Sequence, residues 1–153
     1  MNKLIIIPLI IIPLIISLVV VSSDQEIDKD ETIGQWQKSG PFEIDKDEYN
    51  LGEKIFLSVQ NINANDKGEV KFMRPLNITH SVQYIAIPFD GMKKDGFNYY
   101  FQPRYNVNEM ICSTEDLVGT WTVIFSGTEY KNLHFEILNQ TSSWDERSFE
   151  SVC

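Results

Sequence analysis

The chain has 153 residues, with 22 acidic side chains against 13 basic ones, and its formal net charge is -9 at pH 7. A phosphate backbone requires clustered Lys and Arg, so this charge argues against nucleic acid as a partner. Two cysteines and 42% hydrophobic residues exclude a disulfide-dense miniature scaffold and are sufficient for one domain with its own core.

The first segment is an almost unbroken run of Ile, Leu and Val over residues 4–21, preceded by Lys3 and followed by acidic residues. This order predicts a hydrophobic helix at residues 1–23 that serves as a signal peptide or a membrane anchor. The length of the run favours an anchor that spans the membrane, whereas Pro8 and Pro13 would kink a spanning helix and favour a cleaved signal. Both alternatives predict an extracytoplasmic protein, either secreted or held by its N-terminus at the outer face of the membrane.

The rest of the chain divides by composition into three parts. Residues 24–40 are polar and acidic, and we predict a linker there. Residues 41–138 are predicted to form the folded domain, whose length of roughly 100 residues is typical of a single domain. Residues 139–153 are predicted to be a C-terminal tail.

Apolar and polar residues alternate along most of the domain, and this period of two predicts β-strands. Clusters of Gly, Asn, Asp and Pro between the alternating runs predict turns, one of them at residues 49–52. About seven short strands separated by turns predict an all-β fold, an antiparallel β-sandwich. The strands are predicted near residues 42–44, 55–60, 70–74, 82–89, 97–101, 121–125 and 133–137.

One face of each predicted strand carries large aliphatic or aromatic side chains, and we expect these faces to form the core. Burying such a side chain contributes about 1.5 to 3 kcal/mol before the entropy cost of ordering it. The predicted inward set is Phe42, Ile44, Ile55, Leu57, Val59, Phe72, Ile85, Ile87, Trp121, Val123, Phe125, Leu133, Phe135 and Ile137.

Two short motifs resemble those of known domains. The pattern Y-x-x-G-E at residues 49–53 resembles the opening of immunoglobulin-like and macroglobulin-like repeats in exported proteins. Asp116, Gly119 and Trp121 resemble the corner before the F strand of an immunoglobulin-type domain, with tryptophan in place of the usual tyrosine. More widely, residues 41–153 resemble small, uncharacterised exported proteins of ammonia-oxidising archaea. The resemblance implies an immunoglobulin-like β-sandwich and export, and it implies no activity.

The two cysteines, Cys112 and Cys153, are predicted to form a disulfide bond, because an even pair in an exported chain usually bonds. The bond would staple the C-terminal tail to the domain, and the alternative is a pair of free thiols. The inter-sheet cysteine pair of immunoglobulin domains is missing from the strands that would carry it.

Two triplets fit the acceptor pattern for N-glycosylation, one at Asn77 and one at Asn139. Both are predicted at strand edges or connections, where a glycan can be accommodated.

Groups that carry chemistry are sparse, so no catalytic residue, metal or cofactor is predicted. His80 and His134 are the only histidines, and neither stands in a recognised catalytic or metal-binding motif. A cupredoxin-like electron carrier is the less favoured alternative, because blue copper needs two His and one Cys, usually with a weak Met ligand. No Met follows Cys112, and the next His is His134.

The densest aromatic run, at residues 97–105, supplies the candidate binding surface. Alternation places Phe97, Tyr99 and Phe101 inward, which leaves Tyr100, Arg104 and Tyr105 as the exposed candidates. The sequence therefore predicts a non-catalytic, exported or membrane-anchored surface protein that acts through binding or assembly. The alternative is a module that binds carbohydrate or another envelope polymer, and the expected partners are envelope proteins or glycans.

Overall fold

The structure, a computed structural model, describes residues 36–141, Ser151 and Cys153. The predicted N-terminal hydrophobic helix and most of the predicted linker lie outside these residues. None of the described residues belongs to a helix long and apolar enough to cross a membrane. The strands are β1 (Gln37–Ser39), β2 (Phe42–Ile44), β3 (Glu48–Leu51), β4 (Ile55–Val59), β5 (Lys67–Pro75), β6 (Ser81–Asp90), β7 (Phe97–Phe101), β8 (Gly119–Ser126) and β9 (Leu133–Thr141), with single 3-10 turns at Val107–Glu109 and Thr114–Asp116.

The described strands form two sheets, so the all-β prediction is confirmed. The first sheet has the order β1-β2-β4-β7, and the second has the order β3-β9-β8-β5-β6. Aromatic side chains from the two sheets meet between them: the rings of Phe42 and Phe125 lie 4.4 Å apart, and those of Phe72 and Phe101 lie 4.7 Å apart. The two sheets are therefore layers packed across one hydrophobic core.

The expectation of a purely antiparallel sandwich is wrong at one edge. The chain leaves the first sheet after β2 and joins the second sheet as β3, which pairs in parallel with β9. For the same reason residues 49–52 are not simply a turn, because Tyr49 and Leu51 belong to β3 and are buried.

The predicted inward set is confirmed with one exception. Every member is buried except Ile85, which is half-buried and packs against the core. The core also contains side chains outside that set, and these come from β3, β5 and β6 and from connections. They are Tyr49, Leu51, Ile62, Val70, Phe89, Ile111 and Leu117.

Strands also extend beyond the predicted domain limits of 41 and 138. β1 lies in the predicted linker, where the side chain of Gln37 donates to the carbonyl of His134 (2.7 Å) and the hydroxyl of Ser39 donates to that of Lys131 (2.6 Å). β9 continues to Thr141, so the predicted tail begins inside a strand. Side-chain contacts with distant parts of the chain thus order residues that composition alone marks as a linker.

Trp121 fixes the corner through which the chain enters β8. Its ring is fully buried, and its Nε1 donates a hydrogen bond to the carbonyl of Leu117 at 2.8 Å. The ring also packs against Tyr84, at 5.2 Å, and Phe135, at 5.8 Å. One side chain thus satisfies a backbone carbonyl in the preceding connection and fills the centre of the core.

Candidate binding surface

An aromatic row crosses the outer face of the four-stranded sheet. Phe56 on β4 and Tyr100 on β7 are direct cross-strand partners, and both point away from the core. Trp36, directly before β1, packs edge-on against Phe56 with the ring centroids 5.8 Å apart. Trp36 is 49% exposed and Tyr100 is 65% exposed. We call Trp36, Phe56 and Tyr100 the aromatic row.

A polar row lies beside the aromatic row, one repeat further along the same strands. Strand register places Lys38 opposite Glu43, Glu43 opposite Ser58, and Ser58 opposite Asn98. The ammonium of Lys38 and the carboxylate of Glu43 lie 2.6 Å apart, while Asn98 is exposed at the far edge. The polar row thus offers charged and amide hydrogen-bonding groups next to the rings.

The dimensions of the aromatic row suit an extended ligand. The rings of Trp36 and Phe56 lie 5.8 Å apart, and Phe56 and Tyr100 stand on neighbouring strands with a spacing of about 5 Å, so the row extends over roughly 10 Å. At one end, the exposed Lys54 holds its ammonium 5.4 Å from the centroid of the Tyr100 ring, a cation–π contact. The surface can therefore present apolar ring area and polar donors together along one line.

Of the three residues predicted to form a binding surface, only Tyr100 belongs to the aromatic row. Tyr105 was expected to be exposed, but it is half-buried and packs against the core, which corrects that expectation. Burial raises the pKa of its phenol, and the nearby carboxylates of Glu115 and Asp116 raise it further. The reason is that the chain leaves β7 after Phe101, so strand alternation no longer decides where Tyr105 points.

Arg104 is exposed, but its contacts are local. Its backbone N–H donates to the hydroxyl of Tyr84 at 3.1 Å, and its guanidinium donates to the side-chain oxygen of Gln102 at 2.8 Å. Gln102 in turn donates to the carbonyl of Gly52. These contacts hold the chain as it leaves β7, and Arg104 lies beyond the strand that carries Tyr100.

The row residues missed from the sequence are Trp36 and Phe56. Phe56 could have been found, because an aromatic residue on the polar side of an alternating strand signals an exposed ring. Trp36 stands in the acidic segment before the predicted domain, and nothing in its immediate neighbours indicates the contact with Phe56.

Both predicted glycosylation sites have exposed asparagines. Asn77 lies in the turn between β5 and β6, where its side-chain oxygen accepts hydrogen bonds from the N–H groups of Thr79 and His80, each at 2.9 Å. Asn139 lies on β9 and not in a tail, with its side chain directed to solvent. Access to solvent is compatible with a glycan at either position, and the modification itself stays a prediction.

The two cysteines lie at disulfide-bonding distance, and their Cα atoms are 5.2 Å apart, within the usual range for a disulfide. Cys112 is held in place by Asp116, whose carboxylate accepts the N–H groups of Cys112 (2.8 Å) and Ser113 (3.0 Å). The hydrogen bond from Cys112 is the main reason that the pKa of Asp116 is lowered. A cysteine paired in this way cannot act as the thiolate ligand of a blue-copper site.

The described residues contain no group of three or more His, Cys, Asp or Glu side chains that could hold a metal ion. The two histidines lie in separate exposed places: His80 contacts Asn77 and Thr79, and His134 contacts Thr122. Each of these contacts is a local hydrogen bond within a turn or between neighbouring strands.

Comparison of the chain with protein-family models, curated proteins and solved structures found no match in any of the three.

Proposed function

We propose that this chain is an exported or membrane-anchored surface protein that catalyses nothing itself and binds an envelope polysaccharide through the aromatic row. The observation that carries the proposal is the alignment of Trp36, Phe56 and Tyr100 on one outer sheet face, with two of the rings about half exposed or more. Exposing large aromatic rings to water is unfavourable, and a partner that covers them lowers the free energy of the complex.

A polysaccharide fits this surface better than a globular partner does. The row is long and narrow, and it lies on the face of a sheet, where an extended chain can be bound along its length. Sugar rings present apolar C–H faces that stack on aromatic rings, and their hydroxyls can exchange hydrogen bonds with groups such as Lys38 and Asn98. These two kinds of contact are the combination that the aromatic row and the polar row offer.

The fold within this proposal is immunoglobulin-like. The second sheet has the order β3-β9-β8-β5-β6, and the first brings β2, β4 and β7 together, which matches the two-sheet division of an immunoglobulin domain. The hydrogen bond from Trp121 to Leu117 supports the same assignment, because the tyrosine of the immunoglobulin corner also bonds to backbone a few residues upstream.

Export is part of the proposal and rests on the apolar run at residues 4–21. The intact mass of protein from its native host tests export, because loss of about the first 23 residues would identify a cleaved signal. A full-length mass in the membrane fraction would identify an uncleaved anchor. A full-length mass in the cytoplasm would contradict export.

Retention on insoluble polysaccharide and on the host's own envelope material tests the binding site. We expect Trp36→Ala and Tyr100→Ala each to weaken retention about tenfold, or roughly 1.4 kcal/mol. The free energy of unfolding should change by about 1 kcal/mol or less, as it usually does for surface substitutions. Tyr100→Phe keeps the ring and should retain most of the binding.

Leu76→Ala is the matched control, because Leu76 is also an exposed apolar residue. It is 59% exposed and directly follows β5, a strand of the other sheet. It should leave retention unchanged. A folded Trp36→Ala, Tyr100→Ala double variant that is still fully retained would show that the site lies elsewhere. Retention lost in the Leu76 control as well would indicate nonspecific adhesion.

A further inference from the structure

A concave surface lies apart from the aromatic row. A cleft of about 560 Å³ opens where the start of β5 and the end of β6 meet the start of β7. Aromatic and proline side chains form much of its wall: Phe89 is almost fully buried, Phe97 is half-buried, and Pro88 is exposed. The cleft therefore has an apolar floor that a flat ring can contact.

Three lysines surround this floor: Lys67, Lys93 and Lys94. The ammonium groups of Lys67 and Lys93 lie 3.6 and 3.8 Å from one carboxylate oxygen of Asp90, which is longer than a hydrogen bond. Their side chains are 74% and 80% exposed, so the N–H donors of both remain accessible to a ligand.

The backbone holds two of these lysines in place. The N–H groups of Lys93 and Lys94 both donate to the carbonyl of Asp90 at 3.0 Å, which closes a tight turn after β6. The N–H of Gly91 donates to the carbonyl of Asp66 at 2.9 Å and ties the turn to the opposite connection. The positions of the two lysine Cα atoms are thus set before any ligand binds, which reduces the entropy cost of binding.

The charge at this cleft is opposite to that of the whole chain. Three lysines line it together with two carboxylates, those of Asp90 and Glu69, and Glu69 already pairs with Lys71 at 3.2 Å. The chain as a whole carries a net charge of -9. An anion that approaches this acidic protein is therefore favoured at the cleft over most of the remaining surface.

We propose that the cleft binds an acidic sugar, a hexuronic acid residue of a glycan. The apolar face of the sugar ring would lie against Phe97, and its carboxylate would lie between Lys93 and Lys94. A free inorganic anion would use the lysines but not the apolar floor, and a neutral sugar would use the floor but not the lysines. None of the residues lining the cleft belongs to the aromatic row, so a substitution can abolish binding at one site without affecting binding at the other.

Calorimetric titration of the full chain with trigalacturonate tests the proposal, with neutral galactotriose as the counterpart. The variant Lys93→Gln with Lys94→Gln should weaken trigalacturonate binding by about fivefold or more, and Phe97→Leu should weaken it as well. Raising the salt concentration should weaken binding of the acidic probe, because these lysines are exposed and therefore screened.

A control variant separates the lysines of the cleft from the general surface charge. Lys46→Gln with Lys131→Gln removes the same charge at residues that line neither the cleft nor the two rows, and it should leave trigalacturonate affinity within about twofold. The proposal is overturned if galactotriose binds as tightly as trigalacturonate, or if inorganic phosphate competes as well as galacturonate does. Equal loss of affinity in the Lys46, Lys131 control would overturn it as well.

Discussion

At the scale of single residues, Trp121 contributes both apolar burial and a hydrogen bond, and its removal should be costly. We expect Trp121→Ala to lower the free energy of unfolding by about 3 to 5 kcal/mol, because it leaves a large cavity between the sheets. The carbonyl of Leu117 also loses its donor. Denaturant titration measures the change, and a loss below about 1 kcal/mol would contradict the central position of this ring.

Trp121→Phe is the matched control for that measurement. It keeps an aromatic ring in the core but removes the indole N–H, so its cost should lie between those of the wild type and the alanine variant. The variant leaves the carbonyl of Leu117 without its donor and also removes part of the ring volume, so we expect a cost of about 1 to 3 kcal/mol.

Tyr49 makes the stability of the folded protein decrease at alkaline pH. Burial raises the pKa of its phenol far above the ordinary value of 10.0, and the hydrogen bond to Asp45 at 2.6 Å raises it further. Above pH 10 the unfolded chain ionises this phenol while the folded chain keeps the proton. The stabilisation by Tyr49 is therefore complete below pH 10 and is lost as the pH rises, by about 1.4 kcal/mol per pH unit at most.

Tyr49→Phe tests this pH dependence by urea titration between pH 8 and roughly pH 11. The variant should be less stable than the wild type near pH 8, because Asp45 loses a donor, and the difference should shrink as the pH rises. Parallel stability curves for the two proteins would contradict the assignment, since other tyrosines would then account for the alkaline loss.

At the scale of strands, the sequence predicts seven of the nine described strands and their inward faces because alternation is a local signal. Phe72, Val123 and Phe135 are found in the core as predicted. β3 is missed because it pairs in parallel with β9, nearly ninety residues later in the chain. No local pattern contains that partner, and the motif at residues 49–53 reads as a turn.

β1 is missed for a similar reason, and its contribution can be measured. A chain that begins at Pro41 lacks β1 and the contacts of Gln37, Ser39 and Trp36, so we expect it to lose about 1 to 3 kcal/mol of stability. It should also aggregate more readily, because the edge of β2 becomes unpaired. A chain that begins at Gln35 is the control and should be as stable as longer forms. Equal urea midpoints for the two truncated chains would show that β1 contributes nothing.

At the scale of the whole molecule, the candidate site depends on contacts that only the folded sheet creates. Tyr100 can be predicted to face outward from alternation alone, and it does. Its grouping with Phe56 and Trp36 requires the register of β4 against β7 and the return of β1 to the sheet edge. The sequence thus identifies one ring of the aromatic row, and the fold supplies the other two.

The cysteine pair tests how far the C-terminus belongs to the folded unit. Cys112 and Cys153 are 41 residues apart in sequence, and by loop-closure entropy a bond between them contributes about 4 kcal/mol at most. Reduction of the unfolded protein should raise its mass by about 2 Da, one hydrogen for each sulfur. Cys153→Ser should lower the urea midpoint in the absence of reductant and should make it insensitive to added reductant.

Cys112→Ser is the companion variant and should behave in the same way, because either substitution opens the same loop.

Asp116 provides a second check, since its carboxylate accepts the N–H of Cys112. Because the pKa of this carboxyl is lowered in the folded protein, its ionised form stabilises the fold at pH values above the unfolded pKa of about 3.9. That stabilisation is lost as the pH falls through the lower folded pKa, and Asp116→Asn should remove it with the disulfide intact. Complete labelling of both thiols in non-reduced, unfolded protein would exclude the bond and leave Asp116 as the support of this connection.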